Sequence, residues 1–133
     1  MGVDIHDILQ VRKDGVWKTV CQNLFNGRSY KLFSVLAGVR SIDDDEQLKP
    51  CAGLPKDYDF YMSGQDTLAF DGEYWMGFFN FTYYTLAELT VYKERLERGE
   101  DGEVSLEYIF LTAYEYAPGC NPEDIRYVCG FDA

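Results

Sequence analysis

Histidine is nearly absent from this chain: His6 is the only one. That excludes any site built on two imidazoles and leaves a zinc centre dependent on cysteine. The four cysteines are Cys21, Cys51, Cys120 and Cys129, and no two of them form a C-x-x-C pair. No metal-ligand spacing is present, so no metal is expected. The N-terminus carries no basic stretch of the kind that starts an export signal, so reduced thiols in a cytosol are the expectation. Long apolar runs are also missing. The longest uncharged stretch, residues 74–87, is 14 residues, short of the ~18 that a transmembrane helix needs. The Met1-Gly2 opening raises myristoylation, but His6 stands where that motif requires Ser or Thr. There is no glycine-rich phosphate loop and no activated Ser or Cys motif. No cofactor is expected.

Basic residues are scarce. Lys and Arg number 12 against 23 Asp and Glu, a formal charge of −11. Direct nucleic-acid binding needs clustered Lys and Arg, and docking on anionic membranes needs the same, so both are disfavoured. The acidity suits solubility and contact with a basic protein surface. What the chain has in quantity is aromatic matter: 2 Trp, 11 Tyr and 9 Phe in 133 residues. A chain of this length forms one domain over residues 1–133 and buries roughly two-thirds of its surface on folding.

Local patterns point to an α+β fold. Val3, Ile5, Leu9 and Val11 share one parity of a strand near 3–12, with Asp4, His6, Ile8 and Gln10 on the other. Asp14-Gly15 then separates it from a strand near 16–20, a strong hairpin signal because both turn positions need positive φ. Ser29 suits the cap of a helix from Tyr30 to Ala37, with Gly38 as its stop and Arg40 just beyond. Asp43-Asp44-Asp45-Glu46 reads as a solvated loop. Seven aromatics crowd residues 74–84, where Trp75, Phe79, Phe81 and Tyr83 share one parity of a strand. Thr85-Leu86-Ala87-Glu88 is a capping box that opens a helix running to about Arg98, with Gly99 ending it. Leu106, Ile109, Phe110 and Ala113 place a third helix over 103–117, stopped by Pro118-Gly119. The alternation of Ile125, Tyr127, Cys129 and Phe131 predicts a last strand over 124–131. The expected architecture is a single domain, with an antiparallel sheet including the N-terminal hairpin and the C-terminal strand, packed with about three helices.

Several short segments resemble, in order, a family of small uncharacterised bacteriophage and prophage proteins that begin Met-Gly-Cys-Asp-Ile-His. They are Gly2-Val3-Asp4-Ile5-His6, Asn26-Gly27-Arg28-Ser29-Tyr30 with Leu32-Phe33, Leu36-Ala37-Gly38-Val39-Arg40, Gly53-Leu54-Pro55, Thr82-Tyr83-Tyr84-Thr85-Leu86-Ala87-Glu88-Leu89, and Asp124-Ile125-Arg126-Tyr127-Val128 with Phe131-Asp132. The resemblance implies a phage or prophage origin and action in the cytoplasm of a bacterial host. It implies no activity. Val3 replaces the usual Cys, and Asn80 or Phe81 lies where many members carry a His.

The candidate site residues are Asp4, His6, Arg28, Tyr30, Arg40 and Arg126. If the terminal strands are neighbours, these groups converge near one end of the sheet. Arginines with a Tyr, a His and a helix start suit an anionic small molecule such as a nucleotide. Three functions follow. The first is a non-enzymatic phage accessory protein that counters host defence. It does so by capturing a nucleotide-type signal, with a possible homo-oligomer, or by blocking the basic surface of a host defence protein as an acidic mimic. The second is a small hydrolase with His6 as general acid/base oriented by Asp4. The third is a virion structural or assembly protein.

Overall fold

The structure is a computed structural model and describes residues 2–40, 47–55, 77–97 and 104–133. Strand β1 (Asp4–Lys13) turns through Asp14-Gly15 into β2 (Val16–Gln22). Asp14 and Gly15 both take positive φ, 53° and 76°, as a tight hairpin turn requires. Helix α1 (Tyr30–Ala37) follows, then β3 (Phe79–Thr85), α2 (Leu86–Glu97), α3 (Glu107–Tyr116), a 3-10 turn (Pro122–Asp124) and β4 (Ile125–Asp132). The sheet runs β2-β1-β4-β3, antiparallel throughout. The last strand therefore sits inside the sheet, beside the first. Seven of its eight residues are buried, which its apolar parity alone would not require.

One sheet face carries Val3, Ile5, Leu9 and Val11 together with Tyr84, Ile125, Tyr127, Cys129 and Phe131. It forms one core with Leu32, Phe33 and Leu36 of α1, Leu89 of α2, and Ile109, Phe110 and Ala113 of α3. The opposite face holds Ile8 and Val128 against Leu54, Phe78, Phe81 and Tyr83. Both faces are thus covered around the middle of β1.

The helix ends are made as their sequences dictate. Ser29 Oγ accepts the Leu32 amide at 3.3 Å, and Gly38 closes α1 in the left-handed region at φ 70°. Thr85 and Glu88 form a reciprocal capping box: the Glu88 amide donates to Thr85 Oγ1 and the Thr85 amide to Glu88 Oε1, each at 3.1 Å. Lys49 adds a 3.0 Å ion pair to Glu88 and lies over the Tyr84 ring, tying residues 47–55 to the start of α2.

Two expectations need correction. Asn80 adopts φ 52° and the β3–β4 register shifts between Phe79 and Thr82. This bulge breaks the single parity expected for Phe79, Phe81 and Tyr83. Phe79 packs in the helix-side core while Phe81 and Tyr83 pack on the opposite face. The third helix begins at Glu107, not at 103; Ser105 Oγ accepts the Glu107 amide and marks the true start. The strand expected from Tyr74 is described from Phe79; Tyr74 and Trp75 lie outside the described residues. So do the acidic run Asp43 to Glu46 and the stop at Arg98-Gly99.

Candidate functional site

The end of the sheet where β1 starts and β4 finishes gathers most of the candidate residues. Arg28 stands just before α1 and donates from Nε to Asp4 Oδ1 at 2.8 Å. That hydrogen bond is the main reason the Asp4 carboxyl lies below its ordinary range. Gly2 makes room for this pair: a Cβ there would meet the Arg28 guanidinium at 2.0 Å. Tyr30, the first residue of α1, accepts the Val3 amide through its hydroxyl at 3.4 Å. Arg40 lies past the other end of the helix, in the left-handed region at φ 53°, and folds back so that its guanidinium covers the Tyr30 ring at 4.6 Å. Arg28 also interacts with the Tyr30 hydroxyl, so two guanidinium groups border one tyrosine.

His6 lies on the same face of β1 as Asp4 but takes a different partner. Its Nε2 is 3.2 Å from Asp132 Oδ2 on β4, where the expectation was Asp4. The antiparallel register explains the exchange. Asp132 stands opposite Asp4, one diagonal step from His6, while Asp4 is drawn to Arg28. The His6 ring stacks on Phe78 with centroids 4.3 Å apart. His6 and Asp132 side chains remain 21% and 39% accessible.

Arg126 does not join them. It pairs in register with Gln10, six positions along β4 from Asp132, a separation of ~20 Å at strand rise. It is 3% exposed. Its Nε donates to Gln10 Oε1 at 2.7 Å, and its guanidinium lies 4.0 Å over Trp17 and 5.7 Å from Tyr83. Stacking on aromatics holds this cation inside the second face of the sheet. The expected convergence therefore holds for Asp4, His6, Arg28, Tyr30 and Arg40 and fails for Arg126.

A buried carboxylate outside the candidate set, Asp7, lies on the other face of β1. It sits among Ile5, Leu9 and Val11 on the core parity and is 2% exposed. Oδ1 accepts the Leu24 amide at 2.7 Å. Oδ2 accepts the Phe25 amide at 3.1 Å and the Tyr127 hydroxyl at 2.6 Å. The Tyr127 and Tyr108 hydroxyls are themselves 2.9 Å apart. Burial raises the Asp7 carboxyl to about 6, against the pull of these three donors. Burial also raises the Tyr108 and Tyr127 hydroxyls well above the ordinary tyrosine range. A charge at an otherwise apolar strand position was the available signal.

Among the described residues, no group of three or more His, Cys, Asp and Glu is placed to hold a metal ion, and no helix is long and apolar enough to cross a membrane. No protein-family model matches the chain, and neither a curated protein nor a solved structure shows significant similarity to it.

Proposed function

We propose that this chain is a phage-encoded accessory protein that counters host defence without catalysis, by capturing a nucleotide-type anion at Arg28, Tyr30 and Arg40. It acts in the host cytoplasm. The observation that supports this reading is the placement of two guanidinium groups beside one tyrosine, Arg40 over its ring and Arg28 at its hydroxyl, at the end of an acidic domain. Guanidinium groups bind phosphate oxygens bidentately, and an aromatic ring offers a stacking surface to a base. An acidic mimic of nucleic acid would give these arginines no role. Capture does, since the −11 surplus keeps polyanions away while a small anion reaches a local positive site.

In this account Asp4 occupies Arg28 until the ligand displaces it. Asp4→Asn is therefore expected to raise affinity for nucleoside phosphates by about 3- to 10-fold, a modest effect because the pair is half-exposed. Isothermal titration of the wild type and the variant against a panel of nucleoside monophosphates, diphosphates and cyclic nucleotides checks this. Weaker binding by the variant would make Asp4 part of the ligand contact instead.

The His6–Asp132 pair favours a second reading, a small hydrolase acting on a phosphorylated or nucleotide substrate. Here Asp132 rather than Asp4 orients His6 as general acid/base, and Arg28 lies nearby for developing negative charge. Turnover of any member of the same panel, abolished in His6→Ala, would establish it. Tight stoichiometric binding without turnover would rule it out.

A further inference from the structure

The buried carboxylate of Asp7 belongs to no step of the binding scheme, yet it reaches the segment that delivers Arg28. Three consecutive amides turn toward this one residue. Asn23, at φ 56°, donates to the Asp7 carbonyl at 2.8 Å, and Leu24 and Phe25 donate to its carboxylate. A run of backbone N–H groups converging on one point forms a site for negative charge. Phe25 is also held by rings, 6.2 Å from Phe33 and 5.2 Å from Tyr108. Three residues further on is Arg28, then the cap Ser29, then Tyr30.

We propose that Asp7 is the positioning residue of the anion site: its ionised carboxylate anchors residues 23–25 and thereby places Arg28 and Tyr30. The proposal rests on the anion-capture reading for what the placement serves. Its mechanics stand on the anchor alone. A proton arriving on Oδ2 is donated to Tyr127 Oη, 2.6 Å away, and Tyr127 turns its own hydrogen toward Tyr108 Oη. The Phe25 amide then faces a hydroxyl instead of a carboxylate oxygen, and the anchor weakens. Among the described residues, the titratable groups around Asp7 are His6 on β1, Cys21 on β2, Tyr127 and Cys129 on β4, and Tyr108 on α3. Burial raises the two cysteines and the two tyrosines above their ordinary values. These four stay neutral on acidification, and Asp7 is the group that accepts the Leu24 and Phe25 amides.

The test uses the intact wild-type chain. Amide hydrogen exchange is followed by NMR from about pH 7.5 to about pH 5, on either side of the Asp7 titration near 6. Protection factors at Leu24 and Phe25 are expected to fall by about tenfold or more on acidification, while those in the centre of β4 hold or rise, because the same proton stabilises the fold as a whole. Cyclic AMP, whose phosphodiester does not titrate in this range, serves as the anion probe. Its affinity is expected to fall in step with Phe25 protection. Asp7→Asn, which replaces one acceptor by a donor, is expected to show low protection and weak binding at both pH values. Unchanged protection at Leu24 and Phe25 across the range would overturn the proposal, and so would tighter binding at low pH with protection lost. Cyclic AMP failing to bind at either pH counts against the anion-capture reading, and the amide protection still decides whether Asp7 holds the segment.

Discussion

Asp7→Ala is expected to lower the free energy of unfolding by about 3 kcal/mol. The truncation strands three donors around one point: the Leu24 and Phe25 amides and the Tyr127 hydroxyl. Each buried donor without an acceptor costs about 2 kcal/mol. Relief of the buried charge offsets part of that loss, and its size follows from linkage. The carboxyl rises from 3.8 in the unfolded chain to about 6 in the fold. The native state therefore binds this proton more tightly than the unfolded state. The associated stabilisation is complete below about pH 4 and disappears as pH rises through about 6, a swing of roughly 3 kcal/mol. Wild-type stability from this group thus decreases across that window, and the slope is absent from the variant. Urea unfolding of both proteins at several pH values between about 4 and 7 measures the two effects together. A variant that matched the wild type in stability and kept the slope would remove Asp7 from the account.

The second large effect concerns binding. Arg28→Ala combined with Arg40→Ala is expected to weaken nucleotide affinity by at least about 100-fold, near 3 kcal/mol. Each arginine supplies charge-assisted hydrogen bonds worth about 1.5–3 kcal/mol to an anion. Arg40 lies over the Tyr30 ring and Arg28 interacts with its hydroxyl, so in this scheme a ligand at Tyr30 reaches both. The fold should survive, because Arg28 is half-exposed and Arg40 lies on the surface. Arg126→Met provides the contrast. That side chain is buried on Trp17 and hydrogen-bonded to Gln10, far from the site. Its loss should disturb stability and leave nucleotide affinity within a few-fold.

Much of this architecture was legible in the residues because its signals are local. Asp14-Gly15 specifies its turn by backbone sterics, and Thr85 with Glu88 specifies a helix start within four residues. The alternation from Ile125 to Phe131 reads as a strand whatever lies beside it. The features that escaped depend on non-local register. Nothing near Asn80 announces the bulge that sends Phe79 and Phe81 to different faces; its side chain donates to the Ala37 carbonyl, 43 positions away. Arg126 stands on the strand that neighbours β1, but the antiparallel register places it opposite Gln10, away from the other candidates. Asp132 became the partner of His6 through the same register. Asp7 was the one omission with a visible signal. An acid inside a run of Val, Ile and Leu at even spacing must find donors when the strand is buried.

The central claim is that Arg28, Tyr30 and Arg40 form the place where this acidic domain holds a small anion. Native mass spectrometry of the protein after exposure to a nucleotide-rich bacterial extract tests it most directly. The account predicts a bound species with the mass of a nucleotide, retained by the wild type and lost in the Arg28→Ala, Arg40→Ala variant. A clean unliganded mass for the folded wild type, or equal retention by the variant, would contradict it.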